Sequence, residues 1–185
     1  MSANRELAAS SSRFESGRTV DGHRGPDVHS QAFLLQVVQP GLSGLMDGSL
    51  STLAPIFAVA LATHRPLTAF YTGLATALGA GVSMAFSEGL SDTGEVTGRG
   101  NPYVRGAITG GGTFTGGVFH TLPFLISDFR AAIIAAIVVV AIELLVLAYL
   151  RYKFFQTSFA RSFFSVAVGG AIIAALSAAL GTAAS

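Results

Sequence analysis

The sequence contains no cysteine and no tryptophan, and charged residues make up only 11% of it. Without thiols there is neither a disulfide framework nor a thiolate metal site, and the redox compartment is left open. A charged fraction so far below the roughly 25% of a soluble domain excludes that class. What remains is 51% hydrophobic with a positive mean hydropathy, the composition of an integral membrane protein. The net charge of +1 points to no particular partner, and no nucleic-acid partner is expected.

Residues 1–30 are polar, carry Arg5, Arg13, Arg18 and Arg24 among four acidic residues, and contain no apolar run of signal-peptide length. We expect a disordered tail there, with His23 and His29 merely solvated. Residues 31–40 ("QAFLLQVVQP") place Phe33, Leu34, Val37 and Val38 at helical spacing, which predicts an amphipathic lead-in at the interface, punctuated by Pro40 and Gly41. Residues 41–185 then hold five hydrophobic segments near 43–63, 67–90, 104–126, 131–150 and 162–183, each close to the about 20 residues that cross a bilayer. The expected fold is an all-α membrane protein of five transmembrane helices.

Lys and Arg in the connections orient such a bundle. With the N-terminus cytoplasmic, the inner side holds the four tail arginines, Arg99, Arg105, Arg151, Lys153 and Arg161, and the outer side only Arg65 and Arg130. The C-terminus is then outside. Tyr103, Tyr149 and Tyr152 fall at the inner interface, where amphipathic rings settle.

Small residues four apart let helices approach closely in lipid: Gly44 and Gly48, Ala75 and Gly79, Ala77 and Gly81, Gly106 and Gly110, Gly112 and Gly116, and Gly170 with Ala174 and Ala178. The run "GGGTFTGG" belongs to this packing pattern; no Gly-Lys-Ser/Thr follows it and no strand precedes it, so it is no phosphate loop. Pro55 and Pro123 fall inside predicted helices, where they can kink the path.

Ionisable side chains in hydrocarbon are costly and usually face a pathway or a partner. Asp47 lies inside the first span, because the uncharged run from Gly48 to Thr63 is too short to cross alone. Counted along a continuous second helix, Met84, Glu88, Ser91, Asp92 and Glu95 fall on one stripe at its inner end. Glu143 sits in the inner half of the fourth helix. Carboxylates suit hard divalent cations, and a thioether on the same face shifts the preference toward ferrous iron and its neighbours. Asp47, Met84, Glu88 and Asp92 are therefore the candidate metal ligands, while Glu95 reads as a solvated loop residue and Glu143 as a residue that could pair with Arg105 or Arg161.

The pairing of "GLMDGSLSTLAPIFAVALA" with "GAGVSMAFSEGLSD" resembles the vacuolar iron transporter family, and "SDTGEVTGRGNPYVRG" with "GGVFHTLPFLI" looks like the membrane part of bacterial membrane-bound ferritins. The resemblance covers about residues 31–183. It implies a homodimeric exporter in a bacterial inner membrane that moves ferrous iron or manganese out of the cytoplasm by proton antiport, with Asp47, Met84 and Glu88 on the metal pathway. Metal is then cargo, and no cofactor is expected. The reading expects alternating access at that site, with Glu143 and His120 as candidate proton-coupling residues. The sequence departs from the proteins it resembles in showing neither the long cytoplasmic domain of the plant and fungal transporters nor a Glu-x-x-His ferritin motif, so a metal-collecting module is expected to be missing, supplied by a separate ferritin-like or metal-collecting partner, or outside this sequence.

Two other classes remain to be weighed. An intramembrane aspartic hydrolase would use Asp92 in "DTG" with Asp47, but the tripeptide occurs once and at a helix end, so no enzyme is expected. A non-transporting membrane scaffold or assembly subunit is the alternative, since glycine-rich helices pack without a ligand.

Overall fold

The computed structural model describes residues 28–155 and 158–183. The chain divides into two units, Met1–Gln31 and Ala32–Ser185. Of the first, only residues 28–31 are described, so the tail expected before them lies outside the described residues, and the architecture below is that of the second unit. Helices are the only regular structure among the described residues: α1 (Val28–Phe33), a π-turn (Leu34–Val38), α2 (Gln39–Thr63), α3 (Pro66–Gly89), α4 (Pro102–Thr121), a 3-10 turn (Leu122–Leu125), α5 (Phe129–Phe155) and α6 (Phe159–Ala183).

The start of α2 differs from expectation. Pro40 and Gly41 do not interrupt the chain; helix runs continuously from His29 to Thr63. The reason lies in the π-turn. Gln39 N–H bonds the Leu34 carbonyl five residues back, which locally widens the helix ahead of a proline that has no N–H to give. The other ends follow familiar chemistry. His64 adopts a left-handed conformation (φ 52°) and returns its N–H to Ala60 O at 2.9 Å, closing α2, and Pro66 opens α3. Asn101 Oδ1 accepts the N–H groups of Tyr103 and Val104 at 2.9 and 3.3 Å, capping α4 ahead of Pro102. Asp128 Oδ1 does the same for Ala131 at 2.7 Å before α5. Pro55 lies inside α2 as expected, whereas Pro123 sits in the first turn of the 3-10 segment, where no N–H is needed.

Among the described residues, four stretches are long and apolar enough to cross a membrane: His29–Thr63, Pro66–Gly89, Phe129–Phe155 and Phe159–Ala183. The remaining long helix, α4, has 20 residues but fails on apolarity. Its position explains this. α4 is wedged between α2 and α3, and its buried residues are Arg105, Thr109, Thr113, His120, Thr121 and glycines, so much of its surface meets protein rather than lipid. Large apolar side chains such as Phe86, Ile134 and Leu176 point outward on α3, α5 and α6, as do Val104 and Phe119 on the other face of α4.

Contact between the central helices is backbone to backbone. A Cβ on Gly44 would lie 2.0 Å from Thr109 O, and one on Gly48 would lie 1.9 Å from Thr113 O. In return, Gly112 and Gly116 of α4 meet Gly41 O and Leu45 O, while Gly106 and Gly110 meet Ala85 O and Gly81 O of α3. These contacts set directions: rising numbers on α4 match rising numbers on α2 and falling numbers on α3. At the far end, Phe124 of the 3-10 turn is fully buried beside Ile56, Ala60, Ala69, Ala132 and Ala136, with Phe57 edge-on to it at 6.1 Å. Not every predicted glycine pair is used. Gly79 has nothing within 4 Å, and Gly170 meets only the Leu144 side chain.

Gly48→Val should therefore cost more than the roughly 1–3 kcal/mol of ordinary overpacking, because the obstacle is a carbonyl that cannot rotate away. Gly79→Ala, facing open space, should instead stabilise by about 0.5–1 kcal/mol through helix propensity. Thermal unfolding of the two variants in detergent gives the comparison; equal effects would refute the close-contact account.

Candidate functional site

Three polar assemblies occupy the bundle. The first joins the end of α3 to the start of α4. The helix stops at Gly89, so the stripe expected to continue to Glu95 does not exist as such: Ser91, Asp92 and Glu95 lie in the connecting turns, and Glu95 is exposed. Gly94 and Gly100, at φ 78° and 71°, fold that connection back on itself. This brings Asp92 beside Glu88, and two arginines hold both. Arg105, with a side chain only 1% exposed, donates from Nε to Glu88 Oε1 (2.9 Å) and from Nη1 to Asp92 Oδ1 (3.2 Å), and reaches Ser91 Oγ at 3.3 Å. Arg99 donates to Glu88 Oε1 at 2.7 Å and to Asp92 Oδ2 at 3.0 Å. Gln36 Nε2 adds a bond to Gly98 O at 3.2 Å. Two carboxylates against two guanidiniums make a neutral cluster. Burial alone would push the Asp92 carboxyl up, but the Gly94 N–H bond, the Arg105 charge, and hydrogen bonds from Arg105 and Arg99 outweigh it and hold the group below its ordinary 3.8.

The second assembly surrounds Asp47. Gln39, Leu42, Ser43, Met46, Asp47 and Leu50 on one face of α2, with Arg151 and Phe155 of α5, line a cleft of about 450 Å³. Arg151 Nη1 lies 3.5 Å from Met46 Sδ. Asp47 itself makes no hydrogen bond or ion pair with any described residue. The four expected ligands are thus distributed: Asp47 opens into the α2/α5 cleft, Glu88 and Asp92 are bound by arginines at the α3/α4 connection, and Met84 is half-buried on α3 and does not line the cleft. Among the described residues, no three His, Asp or Glu side chains gather in a group able to hold a metal ion.

The third assembly lies deeper. His120 Nε2 and Glu143 Oε2 stand 3.0 Å apart, joining α4 to α5, and the imidazole's other nitrogen, Nδ1, is 3.0 Å from Gly116 O. The contact between Nε2 and Oε2 meets an ion-pair distance but not hydrogen-bond geometry, and Oε2 has no hydrogen-bond partner among the described residues. The Ser49 hydroxyl of α2 donates to Glu143 Oε1 and lies 2.7 Å from Leu45 O. Glu143 therefore pairs with His120 and not with Arg105, which belongs to the first assembly. The two candidate proton-coupling residues meet.

The sequence reading missed two members of these assemblies. Arg105 was assigned only to the inner positive charge and as a possible partner of Glu143; the turn-forming "GRGNP" ahead of it was the available signal that α4 folds back onto the end of α3. Ser49 carried no signal, since one serine beside a packing glycine is unremarkable in a membrane helix. Comparison with family models, curated proteins and solved structures finds no match.

Arg105→Gln should lower stability by roughly 3–5 kcal/mol, the cost of stranding buried charge, whereas Arg99→Gln, replacing a side chain 25% exposed, should cost about 0–1 kcal/mol. In the parental chain, the Asp92 contribution is complete above 3.8 and is lost as pH falls from there through its lower folded value. Unfolding midpoints at neutral and acid pH measure both; equal losses for the two variants would count against the central place given to Arg105.

Proposed function

We propose that the chain is a membrane exporter of a divalent transition metal, ferrous iron or manganese, coupled to entry of protons, with Asp47 as the carboxylate that receives the metal. One observation carries the reading: Asp47 places a carboxyl side chain in a helix long and apolar enough to cross a membrane, in an open cleft, with no hydrogen-bond or ion-pair partner among the described residues. Such a residue is costly and persists where it serves a pathway. Met46 and Ser43 offer further soft and hard donor atoms on the same wall, and the resemblance of the α2 and α3 sequences to iron transporters agrees with this chemistry.

The arginine-bound Glu88 and Asp92 take a different part in this reading from that of free ligands. They form a neutral clasp at the inner mouth, and any direct metal contact there requires Arg99 and Arg105 to yield. A shell containing Asp47 and Met84 together requires a second copy of the chain, consistent with the homodimer that the resemblance implies. The N-terminus is cytoplasmic and the C-terminus outside, from the Lys and Arg distribution. The neutral clasp also favours a second reading, an assembly subunit that carries no ion, because a fully paired cluster needs no ligand.

Metal uptake into proteoliposomes separates the two. Asp47→Asn should reduce flux by about an order of magnitude or more, comparable with losses on perturbing metal sites elsewhere, while the protein stays folded and inserted. Parental flux in that variant would remove Asp47 from the pathway, and absence of flux from the parental chain would favour the assembly subunit.

Reporters fused to the two ends check the orientation independently. The N-terminal one should respond only from the cytoplasmic side and the C-terminal one only from the outside. Both on one side would exclude five spans.

A further inference from the structure

We infer that His120 and Glu143 form a second binding site for a divalent transition-metal ion, separate from the Asp47 cleft, with Ser49 as the residue that positions the carboxyl. Each ligand atom is held from behind and open in front. His120 is buried, and its Nδ1 lies 3.0 Å from Gly116 O. A carbonyl can only accept, so Nδ1 carries the hydrogen, and a neutral imidazole then presents a bare lone pair at Nε2. Metal-ligating histidines have this same support, the second ring nitrogen donating to a carbonyl, carboxylate or water. Glu143 is anchored in a comparable way. The Ser49 hydroxyl of α2 donates to Oε1, which leaves Oε2 as the oxygen that faces Nε2. Oε2 is buried without a hydrogen-bond partner among the described residues, a costly state for a carboxyl oxygen unless a cation or donor meets it.

How the two atoms face each other selects the kind of cation. Nε2 and Oε2 are 3.0 Å apart, but the oxygen stands off the axis along which the ring nitrogen would point a hydrogen. A proton held between two such atoms needs a nearly straight path. Two ligands of one metal ion instead meet at an angle about the ion. With bonds of roughly 2.0–2.2 Å from imidazole and carboxylate, ligands at right angles stand about 3.0 Å apart. Spacing and off-axis approach are thus those of neighbouring ligands around one ion.

The donor set narrows the ion further. Imidazole nitrogen with carboxylate oxygen suits manganese, ferrous iron and their neighbours, whereas magnesium and calcium favour oxygen alone. Only two protein ligands converge, in keeping with the absence of any group of three acids or histidines among the described residues. Water would complete the shell. Glu143 borders a cavity of about 270 Å³, room for several waters at about 30 Å³ each. A partly hydrated ion on two protein ligands is held loosely enough to leave again, as an ion in transit must be. Ser49 lies two residues beyond Asp47 on α2, so one helix carries the cleft carboxylate and the support of this second station. That the bound ion is cargo rests on the exporter reading; the binding site does not.

Mn2+ is the probe, because its pulsed electron paramagnetic resonance spectrum registers a directly bound imidazole nitrogen. The purified chain titrated with Mn2+ in detergent should show that nitrogen coupling, and equal Mg2+ should not displace it. His120→Gln should abolish the coupling, whereas His64→Gln, at an exposed position beyond the end of α2, should keep it. Glu143→Gln should weaken the nitrogen-coupled Mn2+ by about tenfold or more. Ser49→Ala should weaken it by about tenfold and regain the full coupling at saturating Mn2+, which a loss of folding would not allow.

Coupling that is absent from the parental chain at saturating Mn2+, that survives in His120→Gln, or that keeps its affinity in Glu143→Gln would overturn the site and leave the two residues an interhelical ion pair. Displacement by equal Mg2+ would overturn the transition-metal assignment. Binding is read here without transport. Nitrogen-coupled Mn2+ with no flux in proteoliposomes would therefore count against the exporter reading alone, and flux without nitrogen coupling against this site alone.

Discussion

The two carbonyls of Thr109 and Thr113, pressed against Gly44 and Gly48, determine how the rest of the bundle is arranged. In lipid there is little hydrophobic gain from joining two apolar helices, so association depends on how closely atoms approach. Side-chain-free positions on α2, α3 and α4 bring three backbones into contact, and one face of α4 is buried between the other two helices while Val104 and Phe119 stay exposed. That buried face need not be lipid-compatible. That is why it can carry threonines, a histidine and a nearly inaccessible arginine in a helix that lacks the apolarity of the other four long stretches. The polar chemistry of the protein is placed on the helix that the glycines bury.

Charge is then handled differently at different places. At the α3/α4 connection two acids and two arginines cancel, with bonds of 2.7 to 3.2 Å, and the buried Arg105 contributes most because it has least access to water. Between α2, α4 and α5 a histidine and a glutamate stand 3.0 Å apart. Asp47 has no hydrogen-bond or ion-pair partner among the described residues and opens into the cleft. Arginine does not give up its charge, so the α3/α4 cluster is permanent at neutral pH.

Much of the architecture was legible in residue order. The long helices of membrane-spanning composition, the segment boundaries within a few residues and most of the packing glycines all follow from composition and spacing. The continuation of helix through Pro40 did not, because a π-turn redirects a hydrogen bond in a way that no residue type announces. Nor did the end of α3 at Gly89, where a helical count carried on to Glu95 put turn residues on a helix face.

The larger difference concerns which polar groups meet. Hydropathy and small-residue spacing are sums over neighbouring positions, so the sequence by itself determined an all-helical bundle with helices of membrane-spanning composition. Position along a helix is one coordinate. The direction in which each helix turns its polar face is settled by docking, and here the contact of Gly44 and Gly48 with α4 turns Asp47 away from Glu88 and toward α5. Tertiary structure alone decided that Glu88 meets arginine, that Glu143 meets His120 and Ser49, and that Asp47 meets none of them, because each pairing depends on the rotation of one packed helix against another.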